Sequence, residues 1–217
     1  PKEILFQAPN NQKAKTTKTL KKLHILLPEP LAIKNLSTIA FSNFGLYIWR
    51  SENFFLSIRC GPIDQKNGGG HAHNDQLAIE LQIKGVDWIK DPGSFIYTAN
   101  PKCRDLYRSV FAHSSPRFNS DEPSKLSVGM FSLKDTFQSK CLRFDTSGFH
   151  GLHSGYDQLV FRQIQIEKRC IKITDGFGGN FPDKSYQSAL TVQSPAELQH
   201  IFGTKLPYSR GYGIIDD

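Results

Sequence analysis

The run His71-Ala72-His73-Asn74-Asp75 holds the residue types best suited to chemistry. On an extended segment, residues two apart point to one side, with Cα atoms about 6.6 Å apart. Two imidazoles so placed can share a metal ion, or one can bind a metal while the other faces a substrate. Asp75 follows on the same side and can orient an imidazole from behind. Asp91 opens the turn Asp91-Pro92-Gly93, and a hairpin between the flanking segments returns it beside the histidines. His113, in Phe111-Ala112-His113-Ser114-Ser115, is a candidate third ligand. Two histidines and a carboxylate are a normal zinc set. The set suits a hard-to-borderline divalent ion, so zinc is the expected cofactor. A His-x-His pair alone is a weak signal. It gains weight here because it heads the face that carries Leu77, Ile79, Leu81 and Ile83, where unpaired imidazoles are costly.

Arg104, Tyr107 and Arg108 precede His113. Guanidinium presents a fork to planar anions, so Arg104 and Arg108 are candidates for binding carboxylate or sulfate, or are ordinary surface residues. Tyr97 can stack on a sugar ring or on its own core. Trp49 and Trp88 read as core aromatics, and His150 and His153 as residues of a glycine-rich loop. Gly68-Gly69-Gly70 is not a phosphate loop, because no Gly-Lys-Ser/Thr follows it. No GxSxG elbow and no nucleic-acid-binding motif is present, so no nucleic-acid partner is expected.

Positioning these groups falls to β-structure. Period-2 segments around Ser51-Glu52-Asn53 predict a hairpin over residues 44–60. The alternation from His71 to Lys84 predicts one half-buried antiparallel strand, with Val86 to Lys90 pairing back on it. Residues 103–111 suit a short helix or strand. Further strands are expected over residues 126–133, 138–144, 158–167, 170–174 and 193–202, with a turn at Gly176, Gly178 and Gly179. No segment shows a helical period of useful length. Many strands separated by Gly/Pro-rich turns point to an all-β sandwich or closed antiparallel barrel.

The 217 residues can close one sizeable core, burying roughly 70% of the extended chain's surface. Residues 1–37 read as a polar lead-in, linker or edge segment. Within them, 1–23 is taken as mobile and 24–33 as irregular, and the remaining 38–217 form the domain. Aromatic content of 12% excludes disorder throughout. No stretch approaches the ~20 apolar residues of a membrane helix. The formal charge of +7 favours an anionic partner. Cys60, Cys103, Cys141 and Cys170 form no CxxC pair, which weakens cysteine-based zinc and dithiol chemistry and leaves disulfide pairing open.

The stretch from Gly69 to Ser115, with its His-x-His, Asp-Pro-Gly, Arg-Ser and final His, resembles the heparinase II/III-like family of polysaccharide lyases. Phe44-Gly45-Leu46-Tyr47-Ile48-Trp49-Arg50 resembles the opening of the family's C-terminal domain, and Gly155-Tyr156-Asp157, Arg162 and Asp175 are similar further on. The resemblance implies an antiparallel β-sandwich that pairs with an N-terminal helical toroid, the cleft lying between them. It implies a bacterial, periplasmic or secreted lyase acting on uronate-containing polysaccharide such as glycosaminoglycan. It makes His71 the cleft imidazole and gives a zinc ion to His73, Asp91 and His113. The toroid's tyrosine has no counterpart here, since Tyr97 and Tyr107 do not match it. Ser114-Ser115 replaces the common Asn-Thr, and Phe161 stands where many relatives carry histidine. An accessory carbohydrate-binding or structural sandwich, and a zinc-dependent hydrolase, are the alternative readings.

Overall fold

The computed structural model describes residues 18–63, 68–126, 129, 131–134, 138–178, 189–202 and 206–215. Strands β1 (Lys18–Leu26), β7 (Ser139–Asp145), β8 (Gly148–His153), β9 (Val160–Glu167), β10 (Cys170–Phe177) and β11 (Leu190–Val192) form a six-stranded sheet in the order β11-β1-β10-β9-β8-β7. Strands β2 (Ser37–Phe41), β3 (Leu46–Ser51), β4 (Phe54–Arg59), β5 (Ile79–Ile83) and β6 (Val86–Ile89) form a second sheet in chain order. Two short α-helices, α1 (Pro101–Arg108) and α2 (Pro195–Phe202), and short 3-10 turns accompany the sheets among the described residues. The fold is therefore mostly β rather than all-β. Its sheets are not purely antiparallel either, because β11 runs parallel to β1.

Both sheets contribute to one core. Trp49, Leu56, Ile58 and Leu81 from one sheet cluster with Leu23, Ile25, Phe149, Ile164 and Ile171 from the other. Tyr47 and Trp49 meet Phe144 edge-on, with ring centroids 5.1 and 4.9 Å apart. The Trp49 indole N–H donates to the Asp145 carbonyl at 2.8 Å, so the largest buried ring leaves no polar atom unpaired. The 44–60 hairpin forms as β3 and β4, and β5 pairs with β6 through a turn in which Lys84 and Gly85 both have positive φ. Two positive-φ residues match the right-handed twist of the strands they join.

Several expectations fail for identifiable reasons. The lead-in expected over residues 1–23 lies outside the described residues up to residue 17. From Lys18 it is β1, flanked by β10 and β11. Leu23, Ile25 and Leu27 alternate inward, and Pro28 and Pro30 lie beyond the strand rather than inside an edge. The glycine-rich segment with His150 and His153 is strand β8, not a loop. Gly151 lacks a side chain there because a Cβ would sit 2.4 Å from the Phe149 ring. Among the described residues of 126–133 there is no strand. Gly176 lies within β10 instead of a turn, and Gly179 lies outside the described residues. Residues 195–202 form α2, not a strand. Ser194 caps this helix, its hydroxyl 3.4 Å from the Glu197 N–H, and the Glu197 carboxylate accepts from the Gln193 N–H at 3.1 Å. Pro195 fits the first helical position, where no N–H is needed. The four cysteines are unpaired. No helix among the described residues is long and apolar enough to cross a membrane.

Candidate functional site

The expected strand from His71 to Lys84 is regular only over β5. Leu77 has φ +62°, which ends the alternation and turns residues 71–76 into a loop. The inward face changes with it. Asn74 and Gln76 are buried, while His71 is exposed and His73 and Asp75 are intermediate. Each buried amide is held through one of its two polar atoms, while Asn74 Oδ1 and Gln76 Nε2 find no hydrogen-bond partner. The Asn74 side chain donates to Glu122 at 2.7 Å and to the Ser124 carbonyl at 2.8 Å. The Gln76 carbonyl oxygen accepts from Ser139 at 3.0 Å. Asp75 lies 3.9 Å from Arg59, and burial raises its carboxyl pKa against that cation.

Three of the predicted residues meet. His113 Nδ1 and Asp91 Oδ2 are 2.6 Å apart, and the His73 and His113 ring centroids are 5.2 Å apart. The other Asp91 oxygen accepts from the Gly93 N–H at 2.9 Å, so the turn aims the carboxylate. His73 Nε2 lies 3.4 Å from the Ser94 hydroxyl. Burial opposes charge on His113, but the bond to Asp91 overrides it and raises the pKa. Burial, then the neighbouring His113, lowers that of His73. Burial also opposes the Asp91 carboxylate, yet its bond to His113 lowers its pKa overall. Asp91 therefore favours its carboxylate form and His73 its neutral form.

His113 Nε2 is buried with no hydrogen-bond partner. An orphan imidazole nitrogen beside a second imidazole and a carboxylate fits the donor chemistry of zinc. No group of three or more His, Cys, Asp or Glu among the described residues is gathered at metal-binding geometry, so a metal ion requires these donors to draw together.

Arg104 and Arg108 lie on the buried side of α1, 2% and 1% exposed. Asn100 caps this helix by accepting from the Cys103 N–H at 3.0 Å, and Pro101 opens it. Arg104 donates to the Gly70 carbonyl at 2.5 Å. Arg108 donates to the Ala72 and Ser132 carbonyls at 3.2 and 2.9 Å. Both guanidinium groups thereby hold the loop that carries His71 and His73, rather than standing open to solvent. Tyr97 covers Arg104 at 4.9 Å, lies edge-on to His71 at 5.5 Å and stacks on Tyr212 at 5.8 Å. Tyr212 is 57% exposed, so an aromatic face adjoins the exposed histidine.

Residues 34–196 match the family described as heparinase II/III-like, C-terminal. The chain belongs to this family. The solved structure of heparan sulfate lyase HepC from Pedobacter heparinus superposes with a TM-score of 0.53 at 23% identity, over 67% of this chain and 23% of that one. A mutant of the same lyase gives 0.53 at 24% identity over the same shares. The fold is shared over that region, and the chain spans about a quarter of the length of these lyases. No curated protein matches the chain.

Two further residues hold this cluster in place: Glu122, which no motif marks, and Arg162, which belongs to the family resemblance but has no role assigned by it. Glu122 accepts from Asn74 and from the Val110 N–H at 2.9 Å, and from the Ser109 hydroxyl, which joins the loop to the segment before His113. Arg162 is fully buried and bidentate to Asp175 at 2.7 Å, and it also donates to the Leu77 and Ser114 carbonyls at 2.5 and 2.7 Å. One guanidinium thus fixes the end of the histidine loop and the residue after His113.

Gly93 offers a direct test of how the turn is held. Its φ is +81°, and a Cβ there would lie 2.3 Å from the Ser209 carbonyl oxygen. Gly93→Ala is expected to cost about 1–3 kcal/mol of stability through backbone strain and to loosen the 206–215 segment. Thermal unfolding reads the first effect. Loss of the near-ultraviolet dichroism of the Tyr97–Tyr212 stack reads the second.

Proposed function

We propose that this chain is the β-sandwich part of a polysaccharide lyase that cleaves uronate-containing acidic polysaccharide by β-elimination. The two sheets form the sandwich, and the loop from His71 to Asp75 forms one wall of the substrate cleft. The observation that carries the reading is the meeting of His73, Asp91 and His113, with an orphan His113 nitrogen, at the loop segment that also carries the exposed His71.

The proton alpha to a uronate carboxylate is acidic enough for a base poised near neutrality, which suits histidine. In β-elimination the C5 proton is taken, the C5–H electrons form the C4–C5 double bond, the C4–O bond breaks, and the oxygen leaves on C1 of the preceding sugar, where it takes up a proton. His71 faces the open side and either moves that proton or neutralises the carboxylate. Arg104 and Arg108 act through the loop they hold and through the positive potential they add, which favours charge developing on the carboxylate. Tyr97 and Tyr212 offer a flat face for a sugar ring. His73, Asp91 and His113 would hold a zinc ion, which supplies fixed positive charge and stiffens the wall. A helical toroid would form the opposite wall, excluding water and orienting the sugar.

After exhaustive dialysis, the full 217-residue chain is expected to retain one zinc per molecule, and His73→Ala to lose it. The wild-type chain alone is expected to bind acidic oligosaccharide without generating the absorbance of an unsaturated product. A metal-free wild type would remove the zinc site. Lyase turnover by the chain alone at enzymatic rates would remove the need for a second wall. The stacked Tyr97–Tyr212 face favours one second reading, a carbohydrate-binding module without catalysis. In that case the chain joined to its toroid still yields no unsaturated product.

A further inference from the structure

A cavity of about 290 Å³ that none of His73, Asp91 and His113 lines lies where β1 meets the end of α2 and the segment after His113. Its lining is Lys21, Ser115, Pro116, Arg117, Asp175, Ile201 and Phe202. Two cationic side chains reach it from separate segments. Asp175 is the carboxylate in the lining, and both its oxygens are already held by Arg162, which brings a third cation against it.

Part of this positive charge caps α2. Arg117 Nη2 donates to the Phe202 carbonyl at 3.2 Å, and Lys21 Nζ lies 3.5 Å from the Ile201 carbonyl. A helix C-terminus carries only about half a negative charge, so three cations outweigh it even with Asp175 added. Burial lowers the Lys21 pKa, and Arg162 and Arg117 lower it further against Asp175, as expected where cations crowd. Capping also leaves Ser115 unexplained. That residue is 5% exposed, lines the cavity, and its hydroxyl has no hydrogen-bond partner. A buried, unsatisfied donor beside excess positive charge calls for an acceptor that brings negative charge.

We propose that this cavity binds a tetrahedral oxyanion of the phosphate or sulfate class, held by Lys21, Arg117 and the Ser115 hydroxyl. Arg117 is preset for the task, because Nη2 is fixed by the Phe111, His113 and Phe202 carbonyls at 3.2, 2.9 and 3.2 Å. The cavity exceeds the roughly 30 Å³ share of a single water several-fold, leaving room for a polyatomic anion. The bound ion would tie β1, the 115–117 segment and α2 together. The inference stands whether or not the chain belongs to a lyase. The same chemistry is offered by a free inorganic ion and by a sulfate ester on a saccharide.

The test is titration of the full chain with inorganic phosphate at constant ionic strength, followed by calorimetry and thermal unfolding. The wild type is expected to bind saturably and to melt at higher temperature as phosphate rises. Lys21→Gln is expected to weaken binding at least tenfold. Ser115→Ala, which keeps the charges, is expected to weaken it about 10- to 100-fold through loss of a hydrogen bond to a charged group. Parallel arms use a sulfated oligosaccharide and its desulfated form. Competition between phosphate and the sulfated sugar assigns the site to an ester, and phosphate binding without competition assigns it to a free ion. A response no larger than that to chloride, or phosphate affinity unchanged in both variants, overturns the proposal.

Discussion

Replacing Arg162 by leucine is expected to cost about 3–5 kcal/mol of stability, the range for removing one partner of a buried ion pair. The guanidinium is fully buried, so nothing screens the Asp175 carboxylate it leaves behind. The Leu77 and Ser114 carbonyls lose their donor as well. Urea unfolding should show a lower midpoint with little change in slope. Arg162→Lys should recover little, because an ammonium cannot present the fork that meets both Asp175 oxygens and the carbonyls together. The double variant Arg162→Met, Asp175→Leu should regain part of the loss, since an apolar pair removes the stranded charge. It should not regain all of it, because the two carbonyls stay unpaired. The same variants should bind zinc more weakly than wild type, since Leu77 and Ser114 end the segments that carry His73 and His113. A melting temperature unchanged in Arg162→Leu would show that the pair contributes nothing to the fold.

This ion pair marks the boundary of what the residues alone disclose. The β3–β4 and β5–β6 hairpins are legible, because alternation and turn chemistry are local. Helix α2 is read as a strand instead, because Leu198, Ile201 and Phe202 pass for part of one and outweigh the start signal in Ser194-Pro195 and Glu197. The loop at 71–76 is different. Strict alternation of His71, His73, Asp75 and Leu77 argues for a strand, and leucine gives no warning of a positive φ. What favours the loop is distant: Glu122 and Ser124 accept from Asn74 and Ser139 donates to Gln76 inside, leaving His71 and His73 toward the surface. Arg104 and Arg108 show the same limit. A guanidinium fork that suits a carboxylate suits backbone carbonyls equally well, and only the tertiary structure reveals which it meets. His73, Asp91 and His113 were nameable from their types and the family resemblance. Their meeting across 40 positions depends on the β5–β6 hairpin, on Glu122, which does not stand out in sequence, and on Arg162, which the resemblance marks without giving it a positioning role.

Asp91→Asn separates the metal set from a merely structural cluster. The substitution keeps the size of the side chain and an oxygen able to accept from the Gly93 N–H, so the turn should survive. It removes the charge that faces His113 Nδ1 at 2.6 Å. A hydrogen bond to a charged acceptor is about twice as strong as a neutral one, and it fixes both the ring orientation and the basicity of the far nitrogen. That far nitrogen, Nε2, is the orphan. Zinc affinity is therefore expected to fall by about 10- to 100-fold even if the carboxylate only orients His113, and by more if it also binds the ion. Competition against a chromophoric chelator measures the change, and a circular dichroism spectrum matching wild type confirms that the fold is intact. Ser94→Ala is the control, since its hydroxyl touches His73 only at 3.4 Å and should change affinity little. An Asp91→Asn protein that holds zinc as tightly as wild type would exclude Asp91 from the site, leaving two imidazoles that make an incomplete set on their own.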